Sequence, residues 1–232
     1  MTGTLLLTFD DRHVAGWEEA LPLFEAAGAR VTFFVVEADL LDDAEQAGVR
    51  RLLAAGHSVG SHGARHRNAD EAILELGAAE YLRTEITGSV AALRSLGASA
   101  SSFAYPNSRR DETTDAVLLE VFDHLRGGSP RTTDLGVARA SIVPRDAKVF
   151  PGRGIDTGRG GVPQLNDAVA LSELLGELAE GDGTLVLYAH EIAPVGRGNH
   201  IHPDRLHAVL IEARRLGLRM VGFDDYSPAS WS

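Results

Sequence analysis

The sequence predicts an α/β fold in which strands and helices alternate as β-α units of a parallel sheet or barrel. Three observations lead there. Short runs of β-branched and aromatic residues alternate with longer segments of helical period. Several of those helical segments end at a glycine, as a left-handed C-terminal cap requires: Gly28, Gly56, Gly97 and Gly217. The 232 residues suffice for one large barrel. No repeat, linker or low-complexity tract interrupts the chain, so a single domain over residues 1–232 is expected.

Taken in order, the predicted strands are Thr4 to Phe9, Arg30 to Val36, Ser58 to Ser61, Ser102 to Tyr105, His124 to Arg126, Thr184 to Tyr188 and Arg219 to Phe223. The predicted helices are Trp17 to Ala27, Asp42 to Ala55, Glu71 to Leu96, Asp111 to Val121, Asn166 to Leu178 and Pro203 to Leu216. Between the fifth and sixth strands lies Gly127 to Gly161, rich in Gly, Pro, Arg and Thr. It is longer than an ordinary connection, so it is expected to hold strands or loops with a job near the site.

The bulk numbers exclude some functions. With 22 basic and 33 acidic side chains the formal charge is −11, which repels nucleic-acid backbones and anionic membrane surfaces and suits a neutral or cationic substrate. There is no cysteine, so a metal here must be held by imidazole and carboxylate. Met1 leads straight to the apolar run Leu5 to Leu7 without a basic leader or cleavage site. No apolar run reaches membrane-spanning length, so the cytoplasm is the expected location if Met1 is the native start.

Chemistry-bearing residues sit where strands end. Thr8-Phe9-Asp10-Asp11 places two carboxylates at the carboxyl end of the first strand, the side on which barrels and open α/β sheets build active sites. Strand alternation would point them apart and give them different roles, although an Asp pair also suits capping of the next helix. His62 and His66 follow the third strand at a four-residue spacing that sets both imidazoles on one side of a single helical turn, near enough to share a cation. His57 is expected to satisfy its hydrogen bonds within the framework. The run Leu185-Val186-Leu187-Tyr188-Ala189-His190 delivers His190 at a strand's carboxyl end, and an imidazole titrating near neutrality suits protonation of a leaving amine as well as a plain structural role.

In this order, the Asp-Asp pair, H-x-x-x-H, the aromatic-Pro turn at Phe103 to Asn107 and the late Leu-Tyr-Ala-His resemble the polysaccharide deacetylase family, also called the NodB homology domain or carbohydrate esterase family four. The resemblance runs from Thr8 to about Tyr226. It implies a distorted (β/α) barrel of about seven units. It also implies one divalent cation, zinc first with cobalt, nickel or manganese as alternatives, on Asp11, His62 and His66. Asp10 becomes the general base and His190 the general acid, with an oxyanion-binding backbone N–H from the turn Tyr105-Pro106-Asn107, assigned to Asn107. Such a cation, flanked by two neutral imidazoles and one carboxylate, keeps net positive charge and open positions.

Two departures from the family pattern stand out. Arg12-His13 follows the Asp pair where many members carry glycine, adding a cation and an imidazole at the rim, with His13 a substrate contact or solvent-facing. Ala104 stands where the family often has an arginine that orients the catalytic Asp, and Arg153, with Asp156 three residues on, is the nearest candidate replacement. Glu191, His200 and His202 follow His190, and a second metal site there is the weaker reading beside solvent or substrate contacts.

The expected reaction is hydrolysis of an N-acetyl group on an amino sugar or small glycan, with release of acetate. Neither nucleic acid nor membrane is an expected partner. Two other functions fit parts of the pattern: hydrolysis of a small cyclic amide, imide or ureide on the same metal, as in the allantoinase-like branch, and a glycan-binding barrel whose catalysis has lapsed with the turn arginine.

Overall fold

The computed structural model describes residues 2–130, 132, 134–159, 162–163 and 168–227. Seven parallel strands close into a barrel: β1 (Thr4–Asp11), β2 (Thr32–Val35), β3 (Ser58–Ser61), β4 (Ser102–Ala104), β5 (His124–Gly128), β6 (Val149–Gly154) and β7 (Thr184–Ala189). They pair in chain order, and β1 closes the ring on β7 in a register running from Thr4 opposite Thr184 to Phe9 opposite Ala189.

One ring strand escapes the sequence pattern. β6 lies inside the irregular stretch and contains Pro151, Gly152 and Gly154, residues that read as turn rather than strand. The glycines have a packing reason. A Cβ at Gly152 would stand 2.7 Å from Arg126 Cδ and 3.1 Å from Tyr188 Cδ1, so two large lumen side chains require its absence. The predicted strand Arg219 to Phe223 shrinks to Arg219–Met220, which pairs beside the start of β1, and Phe223 begins a short 3-10 turn. The end of the irregular stretch at Gly161 and the predicted helix start at Asn166 lie outside the described residues.

Helices cover the ring, with two interruptions in the predicted set. Trp17 to Ala27 is two helices, Val14–Glu19 and Leu21–Ala27, because Pro22 cannot continue an α-helical ladder but suits the first turn of a new helix. Glu71 to Leu96 breaks at Gly77, whose φ of 82° is left-handed, and resumes as Ala78–Tyr81, a π-helical turn Leu82–Thr87 and Gly88–Ser95. Among the described residues no helix is long and apolar enough to cross a membrane.

Strand alternation divides the core in two. Leu5, Leu7 and Phe9 face the helices with Trp17, Phe24 and Phe33, whereas Leu6, Phe34, Phe150 and Val186 pack with Phe223 and Tyr226 as a separate cluster inside the barrel. His57 belongs to the outer layer, as expected. Its Nδ1 accepts the Val31 N–H at 3.2 Å, and burial, reinforced by the charge of Arg30, pushes its pKa down to about 4. Above the apolar plug, toward the carboxyl ends of the strands, the lumen turns polar. A small four-stranded sheet of Glu191–Ile192, Asn199–Ile201, Gly158–Arg159 and Val162–Pro163 is built from the segments that leave β7 and β6.

Candidate metal centre and catalytic cleft

A cleft of about 370 Å³ is lined by Asp10, Asp11, His62, His66, Asn107, Arg126, Tyr188, His190 and Asn199, among others. The two carboxylates reach it by different routes. Asp10 continues the lumen-facing series of β1, while Asp11 has a φ of 82° that breaks alternation at the strand's last residue. Both side chains therefore line one cleft, where regular alternation would have separated them.

The imidazoles also meet without the helical turn expected of their spacing. After β3 the chain runs through an irregular turn in which Gly63 and His66 have φ values of 82° and 56°. The donor atoms of Asp11, His62 and His66 lie within 4.8 Å of one another, and each imidazole Nε2 is 3.5 Å from Asp11 Oδ1. His62 Nδ1–H donates to the Ala104 carbonyl at 2.8 Å, which fixes the tautomer and leaves the Nε2 lone pair facing the carboxylate. Burial and the neighbouring His62 lower the pKa of His66, favouring the neutral form that a metal ligand needs. Burial alone would raise Asp11, but in the absence of a cation a protonated His62 can donate from Nε2 as well, and that hydrogen bond and charge, with the charges of His190 and His66, hold the carboxyl well below the usual carboxylate range. Two imidazole nitrogens, one ionised carboxylate and an open side fit a divalent cation.

Asp10 is 2% exposed and ion-pairs through Oδ2 with Nη2 of Arg126, while its buried Oδ1 has no hydrogen-bond partner among the described residues. Arg126 in turn lies over the Tyr188 ring, 4.7 Å from its centroid. This corrects the assignment of Arg153, whose Nη2 donates to the Thr132 carbonyl at 3.1 Å. The replacement is a register neighbour: Ala104 on β4 pairs with Arg126 on β5, so the guanidinium is supplied from the adjacent strand. Because this pair is buried, Arg126→Met should destabilise the fold by about 3–5 kcal/mol, leaving Asp10 uncompensated, and Asp10→Asn added to it should recover much of the loss. Denaturant unfolding of the two variants checks this.

His190 is held from three sides. Its Nδ1 pairs with Asp156 Oδ2 at 2.7 Å, its backbone N–H donates to Asp156 Oδ1 at 3.1 Å, and its carbonyl accepts the Trp17 indole N–H at 3.0 Å. Asp156 thus supports His190 rather than Asp10. Burial pulls the His190 pKa down, but the hydrogen bond and charge of Asp156, with Asp10 and Asp11, outweigh it and leave the imidazole above its ordinary value.

The remaining expected residues divide. Asn107 lines the cleft in a left-handed conformation (φ 52°, ψ 16°) behind the buried Pro106. Tyr105 touches the cleft, but its ring is buried and its hydroxyl donates to Asp115 at 2.8 Å, which makes it a prop for the turn and not a substrate-contacting phenol. His13 Nε2 lies 3.9 Å from Asp11 Oδ2 with its ring edge-on to Trp17, and Arg12 is drawn away into pairs with Glu37 and Glu45. His202 caps the helix Pro203–Arg215 by accepting the Asp204 N–H, and buried His200 turns its Nδ1 to the Gly198 carbonyl.

Four lining residues were not among the predicted site residues: Ser108, Arg126, Tyr188 and Asn199. Arg126 carried a faint signal, a charge in mid-strand ahead of Gly127-Gly128, whereas nothing in the sequence marked Asn199.

Residues 2–121 match the family described as polysaccharide deacetylase. A search of curated proteins finds no match. Among solved structures, the family 4 acetyl xylan esterase from Clostridium thermocellum in complex with a cobalt ion shares 17% identity at a TM-score of 0.62, over 96% of this chain and 89% of that one. The polysaccharide deacetylase from Bacillus cereus shares 21% identity at a TM-score of 0.58, over 97% and 94% of the two chains. The family 4 carbohydrate esterase from Streptomyces lividans in complex with acetate shares 18% at a TM-score of 0.54, over 92% and 87%. At these identities the structural likeness speaks to the barrel, while the sequence match spans more than half of the chain and includes Asp10, Asp11, His62 and His66. The chain belongs to the polysaccharide deacetylase family.

Proposed function

We propose that this protein hydrolyses an N-acetyl amide on an amino sugar or small glycan, releasing acetate and a free amine, with one divalent cation, zinc first, held by Asp11, His62 and His66. The observation that carries the reading is the convergence of two separately prepared proton-handling groups on one cleft: Asp10 fixed by Arg126, and His190 fixed by Asp156. When bound, the cation supplies Lewis acidity, polarising the amide carbonyl and acidifying a water.

The protein's own groups do the rest. Asp10 accepts the water's proton through the oxygen that Arg126 leaves unpaired. The backbone N–H of Asn107, at the cleft wall, supports the developing oxyanion. An amine leaves poorly unless protonated, and His190, with Nδ1 committed to Asp156, offers Nε2 as the proton donor. A guanidinium on Asp10 removes the argument for a lapsed barrel, which rested on Ala104.

Acetate release from a panel of N-acetyl amino sugars and short chito-oligosaccharides, run beside ring opening of cyclic ureides and imides, tests the assignment. Ring opening without acetate release would refute it.

A pH prediction follows from His190. A general acid works while protonated, and its pKa is raised here, so activity should persist to pH values above the ordinary imidazole range and fall as pH rises through that pKa. Asp156→Asn removes the charge that raises it, so the alkaline limb of kcat should move to lower pH. An alkaline limb that stays in place would contradict the pairing.

A further inference from the structure

The turn between His62 and His66 is tied down more fully than a loop of this length needs. All three backbone N–H groups between the two imidazoles are engaged. Gly63 N–H donates to Ser61 Oγ at 3.2 Å, and that hydroxyl is 3.0 Å from Ser89 Oγ. Ala64 N–H donates to the Glu85 carbonyl at 2.9 Å, and Arg65 N–H to Glu85 Oε2 at 2.8 Å. Glu85 thus grips successive residues with its main chain and its side chain.

That double grip depends on the π-helical turn Leu82–Thr87, in which Glu85 sits. Widening a helix by one residue per turn releases a carbonyl from the regular ladder, and such bulges occur where a backbone group is needed elsewhere. Glu85 is also an expensive residue to place here. It is 2% exposed, and the guanidinium of Arg65 beside it turns to Asp39 at 2.7 Å instead. A buried carboxylate held by backbone N–H and, among the described residues, without a direct ion pair is costly unless its hydrogen bond does something. The turn it holds is itself strained, since His66 is a non-glycine residue in left-handed backbone, and such a conformation persists only where the surroundings over-determine it.

We propose that Glu85 is a positioning residue for the metal centre. Its π-helical turn clamps Ala64 and Arg65 so that His66 is carried back against His62 before any cation arrives. This rests on the assignment of Asp11, His62 and His66 as ligands, and it adds that the site's geometry is set by a segment that touches no ligand. Gly63 fits the scheme: its φ of 82° needs no Cβ, and one placed there would stand 3.3 Å from Glu85 Oε2.

The test is zinc affinity by calorimetry on metal-stripped protein, with amide hydrogen exchange as a readout that needs neither metal nor activity. Glu85→Ala should weaken zinc binding by about 10- to 100-fold, the usual effect of losing an outer support. Glu85→Gln, which keeps an acceptor for Arg65 N–H, should stay within about 3-fold of the parent on the same reasoning. In the metal-free parent protein the Ala64 and Arg65 amides should already be protected from exchange, a measurement that stands even if Glu85→Ala does not fold. Unprotected amides at 64 and 65 would overturn the proposal, as would unchanged affinity in Glu85→Ala, or Glu85→Gln as weak as Glu85→Ala, which would assign the effect to charge instead of hydrogen bonding. A parent protein that binds no zinc would instead refute the ligand assignment beneath it.

Discussion

Asp10→Asn is expected to retain the bound cation and to lose about 10²- to 10⁴-fold in turnover, the range for removing a positioned proton acceptor. The amide keeps the shape of the carboxylate but cannot take a proton. Its effect on metal content should be small, because Asp10 turns one oxygen to Arg126 and is not among the clustered donor atoms of Asp11, His62 and His66. Asp11→Asn should do the opposite, weakening the metal first and activity with it. Elemental analysis and kcat, measured on the same preparations, separate the two roles. If both variants lose metal equally and excess cation rescues neither, the division between adjacent carboxylates is wrong.

The second large effect is expected from His62→Ala combined with His66→Ala. These imidazoles supply two of the three clustered donor groups, so the double variant should lose both metal and activity. The fold should persist, since the turn lies at the rim while the barrel is held by the apolar clusters on either side of the strands. His62 carries the larger share, because its Nδ1 is anchored to the Ala104 carbonyl and its ring is nearly fully buried, whereas His66 is half-exposed on a strained turn. Full metal occupancy in the double variant, with circular dichroism of a folded protein, would contradict the ligand set.

What was legible in the sequence was whatever depends on strand ends. Asp10, Asp11, His62 and His190 announce themselves because each follows a run of β-forming residues on the catalytic side of an α/β barrel, and six of the seven ring strands were visible for the same reason. The failures share a different cause. Val149–Gly154 was not singled out as a strand within a stretch expected to hold strands or loops, because its glycines answer to Arg126 and Tyr188, side chains distant in sequence that require room in the lumen. Arg126 was overlooked because its partnership with Asp10 spans 116 residues and exists only through barrel closure. The turn 62–66 was given the wrong backbone because four-residue spacing is equally satisfied by a helix or by two left-handed residues, and the choice was made by Glu85 some twenty positions on. Local chemistry can be read locally; the groups that aim it arrive from neighbouring strands.

The most direct measurement is acetate release from an N-acetyl amino sugar by one preparation of the protein, assayed after chelation and again after reloading with zinc. The account predicts no release above background from the stripped protein and recovery in proportion to zinc bound, saturating at one ion per chain. Release that is undiminished by chelation, or absent at full zinc occupancy across the acetylated panel, would contradict it.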